Sequence, residues 1–272
     1  MLGGVIYVAA FQSLLPQLDF AWAVRVLAFI ALGIFSLAIP TLVFSSPPKT
    51  TSSTTRNLLD PAAFRDLPFL AYATSTLFIF IGYLVPFFYI PSYGQIVLGM
   101  SRQLSFWALA ISSATSIVGR VGCVLIAQRV GSMQAWIGSG VTSSILCFSW
   151  IGVSDSRAGF FVFCSLYGFF SAGLGTLPAT VFPRICSDSE KYGTWLGMGF
   201  TASGIAFLIG APIAGALASL GASEATAGIN FLPIQIWSGS MMALGSAMLC
   251  VLWMLLIKLR PEKSVTSSLS GS

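Results

Sequence analysis

Residues 104–127 read LSFWALAISSATSIVGRVGCVLIA, a run in which Arg120 is the single charged side chain. A helix needs about 20 mostly apolar residues to cross the hydrocarbon core of a bilayer, and this run is long enough. The whole chain shares its character, because 56% of the 272 residues are hydrophobic and 8% are charged. An average soluble domain carries about 25% charged residues. The sequence therefore predicts an all-α, polytopic transmembrane helix bundle with the lipid bilayer as its solvent.

Six further runs of this kind surround the first, and a short apolar stub at residues 1–15 precedes them. The stub has no basic start and no clear cleavage site, so we interpret it as part of a membrane helix. Residues 45–66 are rich in Ser, Thr and Pro, carry five charges and are predicted to form a flexible linker. The seven full spans are predicted at about 22–44, 67–90, 104–127, 134–153, 159–181, 193–220 and 232–257.

Lys and Arg are distributed unequally between the two sides of the predicted membrane. Nine fall on the side that holds the linker, two fall on the opposite side, and Arg25 and Arg120 lie within spans. Because basic residues favour the cytoplasmic side, the linker and the C-terminal tail are predicted to be cytoplasmic. The net charge of +5 does not indicate a nucleic-acid partner, since the basic residues form no patch. The nine are Lys49, Arg56, Arg65, Arg129, Arg184, Lys191, Lys258, Arg260 and Lys263, and the two are Arg102 and Arg157.

Several classes of chemistry find no support in the sequence. The chain has no histidine, and its five cysteines are far apart, so neither a metal site nor a disulfide framework is indicated. Nucleotide-binding and hydrolase motifs such as a P-loop, GxGxxG after a strand, HExxH or GxSxG do not occur, which leaves ATP-driven transport by this chain alone without support. We therefore expect a protein that is not an enzyme and holds no cofactor or metal.

Arg120 is the most informative residue, because it lies only about four residues past the midpoint of its span. A guanidinium at that depth costs roughly 2.5–3.5 kcal/mol or more unless it faces a cavity or a partner. Its planar fork of donors suits both oxygens of a carboxylate, so a bound organic anion is one interpretation. A structural ion pair, or snorkelling to the surface, is the other. Arg25 lies near the end of its span, where it is predicted to snorkel beside Trp22.

Aromatic residues are dense in the second full span, around Pro86. Tyr83 and Phe87 are spaced four residues apart, so on a continuous helix they would share one face. That face could line a pathway for a partly apolar substrate. The alternative is an aromatic surface that faces lipid.

Five stretches resemble the major facilitator superfamily, and in particular its fungal monocarboxylate porter-like transporters. They touch nearly the whole chain in the order of helices five to twelve of that family. The resemblance implies two six-helix bundles with substrate bound between them near the midplane. Residues 1–44 would then be the end of the N-terminal bundle, with part of helix five and helix six, and 67–257 the C-terminal bundle, followed by a tail at 258–272. The stretches are Gly3–Ile30, Phe80–Gln95, Ser116–Gly131, Leu166–Ile185 and Glu190–Leu217.

The resemblance also implies roles for particular residues. Arg120 occupies the position of the family's helix-eight arginine, which receives the substrate carboxylate. Many members carry an aspartate tied to proton coupling one turn earlier, but here that position is Ser116, which puts proton coupling through this half in doubt. The candidate substrate-binding residues are therefore Arg120, Ser116, Tyr83 and Phe87.

The expected function is that of a secondary transporter-like protein for small organic anions such as monocarboxylates. The family has about four and a half further helices before the position of Met1, so we expect a truncated carrier or one that associates with another carrier half. Two alternatives remain open. One is a non-transporting membrane partner, sensor or inactive fragment, and the other is an exporter of a secondary metabolite. The plasma membrane is the expected location.

Overall fold

The computed structural model describes residues 20–45, 59–153, 156–186, 188–220 and 229–259. The predicted stub at 1–15, most of the linker and most of the tail lie outside these described residues. The chain divides into two compact units, Met1–Asn57 and Leu58–Ser272, each of which is described by itself.

The first unit contains helix α1, Phe20–Ser45, which corresponds to the first predicted full span. The guanidinium carbon of Arg25 lies 5.2 Å from the centre of the Trp22 ring, as expected for a basic residue that pairs with an interfacial aromatic.

The second unit is a bundle of helices that accounts for the other six predicted spans. Seven helices of the described chain are long and apolar enough to cross a membrane, which confirms the number of full spans. Six of the seven spans begin one to four residues before their predicted bounds and four end beyond them, because capping and polar end residues extend a helix beyond its apolar run. The helices are α2, Leu67–Tyr83; α3, Val85–Ile96; α4, Arg102–Val130; α5, Ser132–Ser149; α6, Arg157–Val181; α7, Ser189–Ser219; and α8, Phe231–Leu259.

The second predicted span differs from its prediction, because it is two helices with a break at Leu84 and it continues to Ile96. Pro86 has no amide hydrogen, so it cannot make the helical hydrogen bond to the carbonyl of Gly82. The break follows from that missing bond. Pro91 lies inside α3, in a span that continues six residues further than its predicted end at residue 90.

Glycines bring α4 and α6 into direct backbone contact. A Cβ atom on Gly119 of α4 would collide with the carbonyl of Phe169, and one on Gly168 of α6 would collide with the carbonyl of Ser112. Without hydrophobic attraction between helices in lipid, such close van der Waals packing is a main source of association.

Helix α2 packs closely on α8 by the same device. A Cβ on Gly82 would lie 2.6 Å from the backbone oxygen of Ser238, and one on Gly245 would lie 2.8 Å from the backbone nitrogen of Ile79. Both distances are shorter than real Cβ contacts, so larger residues at these positions would push the helices apart.

The end of the predicted flexible linker is ordered. Pro61–Arg65 form a short 3₁₀ helix, which the Asp60 carboxylate caps by accepting the Ala62 amide at 3.0 Å. The Trp195 indole of α7 donates to the other oxygen of Asp60, also at 3.0 Å. The last residues before α2 are thus tied to the start of α7.

Removal of the Asp60 charge is expected to weaken this tie in a pH-dependent way. Hydrogen bonds from Trp195 and from the Ala62 amide, with the charge of Lys191, hold the pKa of Asp60 below its usual value of 3.8. A lowered pKa stabilises the fold above the unfolded-state value and loses that effect as the pH falls through the folded-state value. Asp60→Asn should therefore melt at a lower temperature than the wild type near pH 7, and the gap should close well below pH 3.8. Equal melting temperatures at neutral pH would contradict this contribution.

Candidate functional site

The candidate site is built around Arg120, four residues beyond the middle of α4. That offset places its Cα roughly 6 Å from the centre of the helix along the axis. The side chain is half-buried, and its Nε is buried with no hydrogen-bond partner among the described residues. The Nη2 atom lies 3.8 Å from where a Cβ on Gly175 of α6 would stand. Gly175 thus leaves the guanidinium room beside α6.

No carboxylate of the bundle's own spans can neutralise Arg120. The sequence has eight acidic residues, and all of them lie outside the seven candidate spans. A positive charge at this depth is costly without a partner, so a negative group from outside these spans would be bound favourably. The partner in a structural ion pair, if Arg120 forms one, therefore has to come from outside these spans.

Aromatic rings extend across the bundle next to the guanidinium. Tyr83, which is 5% exposed, lies within the electrostatic range of the Arg120 guanidinium. Its ring centre lies 5.7 Å from the rings of both Phe80 and Phe87. The ring centre of Phe80 in turn lies 5.0 Å from that of Phe207 of α7. These rings offer an apolar surface at the middle of their spans, in the same bundle as the half-buried Arg120.

The expectation that Tyr83 and Phe87 share a face of one helix is wrong, because the break at Leu84 separates them. Tyr83 is the last residue of α2, and Phe87 lies in the first turn of α3. Their rings still meet, and Phe87 also contacts the ring of Tyr167 of α6 at 5.4 Å. Leu84 between them keeps right-handed helical dihedral angles (φ −82°, ψ −17°), so the two rings still meet at a spacing of four residues across the break.

Ser116 is placed differently from the other three predicted residues. It has no exposed surface, and its hydroxyl donates to the carbonyl of Ser113 at 2.7 Å. Hydrogen bonds of this kind, within one helix, satisfy a serine locally. In this conformation Ser116 lies inside the bundle and presents nothing to a ligand, so our proposals below do not use it.

Two residues near the site were not singled out from the sequence. Phe207 lies in the middle of α7, and Tyr167, with no exposed surface, lies in the middle of α6 and donates its hydroxyl to the carbonyl of Tyr83 at 2.7 Å. A phenol in an otherwise apolar span needs a hydrogen-bond partner, which was the available signal for Tyr167. Phe207 gave no comparable signal among the many phenylalanines.

Metal chemistry has no support in the part of the chain that the structure describes. No group of three or more Cys, Asp or Glu side chains there could hold an ion. The chemistry that the arrangement allows is binding. Arg120 has unused donor capacity for a negative group, and the rings of Tyr83, Phe80 and Phe87 offer a surface for an apolar group.

Comparisons with known proteins identify several relatives, although no family model matches the chain. It is 36% identical over 249 residues to the aspyridones efflux protein of Emericella nidulans, which covers 91% of this chain and 48% of that protein. An MFS-type transporter of Aspergillus niger is 34% identical over 218 residues, 80% of this chain and 50% of that protein. The agnestins efflux protein of Paecilomyces divaricatus is 30% identical over 249 residues, 90% of this chain and 53% of that protein.

The three relatives are all longer than this chain. This chain spans about half the length of each of the curated relatives it matches here. Two of the names specify efflux, and none of the three mentions a monocarboxylate.

Proposed function

The chain belongs to the major facilitator superfamily, and from this premise we propose that it forms the C-terminal half of a secondary carrier that exports a small organic anion with an apolar, partly aromatic body. It is a multi-pass membrane protein. The proposed substrate class rests on Arg120. This residue is half-buried, and its Nε has no hydrogen-bond partner among the described residues. The spans of the bundle contain no acidic residue that could balance its charge.

Recognition of the anion is assigned to Arg120. A bidentate contact with a carboxylate or a similarly acidic group would supply the missing countercharge in a region of low dielectric constant, where it is strongest. The rings of Tyr83, Phe87 and Phe207 would then contact the rest of the substrate. They favour an organic body larger and more apolar than that of a simple short-chain monocarboxylate.

Export is the direction that we propose. Relatives named as efflux proteins of aspyridones and agnestins support it, so the exporter of a secondary metabolite, an alternative left open by the sequence, becomes our preferred hypothesis over transport of monocarboxylates. The second wall of the binding cavity would come from another six-helix bundle, by the two-bundle arrangement of this superfamily. The excess of basic residues on the linker side supports a cytoplasmic linker and C-terminus, and we propose the plasma membrane as the location.

A chimera tests the function. The N-terminal half of the aspyridones efflux protein is joined to this chain in place of its own matching half, and the fusion is expressed in yeast. Inside-out vesicles are preloaded with unlabelled 2-naphthoate and given the labelled compound, because counterflow needs no knowledge of the coupling ion. We expect accumulation of 2-naphthoate well above that in vesicles without the chimera.

The neutral isostere supplies the control. Labelled 2-naphthamide has the same ring system without the charge, so it should not accumulate above background. An antibody to an epitope placed after Ser272 should bind these vesicles if the linker side is cytoplasmic. If no aromatic carboxylate shows chimera-dependent counterflow, or if amide and carboxylate behave alike, the proposed substrate class is wrong.

A further inference from the structure

The break between α2 and α3 leaves backbone carbonyls in the middle of the bundle that need donors from elsewhere. Pro86 cannot donate to the carbonyl of Gly82, and the only local substitute is the amide of Leu84, two residues away. A carbonyl has two lone pairs, and one that is buried in an apolar region without a good partner is costly.

Two hydroxyls from other helices fill this need. Ser238 of α8 donates to the carbonyl of Gly82 at 2.9 Å, and Tyr167 of α6 donates to the carbonyl of Tyr83 at 2.7 Å. Neither donor side chain has any exposed surface. We call these two hydrogen bonds the carbonyl clasp, since they hold adjacent peptide groups on the α2 side of the break.

Two sulfur atoms lie next to the clasp donors in the described part of the bundle. The Sδ atom of Met242 lies 3.8 Å from the Tyr167 hydroxyl, and the Sγ atom of Cys147 lies 3.5 Å from the Ser238 hydroxyl. Both sulfur-bearing side chains are fully buried. Sulfur is a weak donor and acceptor, so it cannot replace a lost hydroxyl at these carbonyls.

We propose that Tyr167 and Ser238 are positioning residues that fix the break and thereby set the placement of the Tyr83 and Phe87 rings at the binding site. Tyr83 carries one of the clasped carbonyls, and its ring contacts that of Phe87 at 5.7 Å. Phe87 follows the break and rests on the ring of Tyr167 itself. One side chain therefore holds both rings, the first through the backbone and the second through a tilted ring contact. The part of this inference that concerns binding rests on the proposed function, whereas the part that concerns the backbone does not.

Amide deuterium exchange on the purified chain in lipid nanodiscs tests the backbone part without any ligand. Tyr167→Phe removes one clasp donor and keeps the ring, and Ser238→Ala removes the other. The matched control is Ser144→Ala, which removes a buried hydrogen bond of 2.9 Å from α5 to the Gly239 carbonyl of α8 and leaves the donors of both clasped carbonyls in place. We expect exchange in peptides covering 84–88 to accelerate about tenfold in both clasp variants and to stay at the wild-type rate in Ser144→Ala.

Binding of labelled 2-naphthoate to the chimera, with and without the same substitutions, tests the positioning part. Affinity should fall about tenfold in Tyr167→Phe and stay unchanged in Ser144→Ala, although both variants lose one buried hydrogen bond and should lose similar thermal stability. Exchange at 84–88 that is unchanged in both clasp variants would overturn the proposal, and so would faster exchange with unchanged affinity. If the wild type binds no 2-naphthoate, the proposed function fails on that probe, and the exchange data still decide whether the clasp holds the break.

Discussion

Replacement of Arg120 by glutamine is expected to abolish counterflow of 2-naphthoate by the chimera, with a fall in kcat/KM of at least about 100-fold. A charge-assisted hydrogen bond is worth about 1.5–3 kcal/mol, and a bidentate contact contains two of them. Loss of ~3 kcal/mol corresponds to roughly a hundredfold change in affinity. Glutamine keeps an amide donor of similar reach but carries no charge, so the variant isolates the electrostatic part. Arg120→Lys keeps the charge without the fork, and we expect it to retain a few per cent of the activity.

The matched control for this prediction is Arg102→Gln on the same helix. Arg102 is exposed at the first turn of α4, where its guanidinium lies 5.9 Å from the ring of Phe106. Its loss removes an equal charge from the same helix but leaves the site intact, so transport should stay near the wild-type rate. Normal counterflow in Arg120→Gln would show that Arg120 has a structural role and that the anion is bound elsewhere.

Insertion of a single methyl group at Gly119 is expected to destabilise the bundle more than any other one-atom change on α4. The new Cβ would overlap the backbone carbonyl of Phe169, which cannot move aside as a flexible side chain would. Overpacking typically costs about 1–3 kcal/mol, and Gly119→Ala should lie at the upper end because two helices must separate. For a bundle of this size the melting temperature should fall by roughly 5–10 °C.

Gly138→Ala provides the control in a neighbouring helix. Nothing lies within 4 Å of a Cβ at Gly138 of α5, so alanine there should be neutral or slightly stabilising through its better helix propensity. Melting followed by intrinsic tryptophan fluorescence in detergent would compare the two. Equal melting temperatures for both alanine variants would mean that α4 and α6 are not in backbone contact.

Much of this architecture could be predicted from the sequence, because membrane spans are determined by the length and composition of apolar runs. The seven spans follow from that rule alone, and the choice of Arg120 as a candidate residue follows from the same physics, since an arginine deep in an apolar run needs a physical explanation. Both predictions depend on local sequence and on the solvent, which the amino-acid composition specifies.

The details that the sequence did not predict depend on contacts between distant residues. Pro86 signalled a local disturbance, but whether the span would kink or break depended on donors such as Tyr167 and Ser238, which lie 84 and 156 residues away from the carbonyls they bind. The placement of Ser116 had a similar cause. Its position one turn before Arg120 suggested proximity to the site, yet its hydroxyl bonds within α4 and its side chain faces other helices.

The glycine contacts make some helix pairs of the bundle stiffer than others. Gly119 and Gly168 fix α4 to α6, and Gly82 and Gly245 fix α2 to α8, in each case through backbone atoms that leave little room for sliding. Helix α3 meets its neighbours mainly through rings, such as that of Tyr93 against Trp150, Phe160 and Phe231. Bending would therefore concentrate in α3, beyond the break. Arg120, which would hold the anionic group, would stay in place while the surface around the apolar body of the substrate changes shape. The charge and the shape of the substrate would then be recognised by different parts of the bundle.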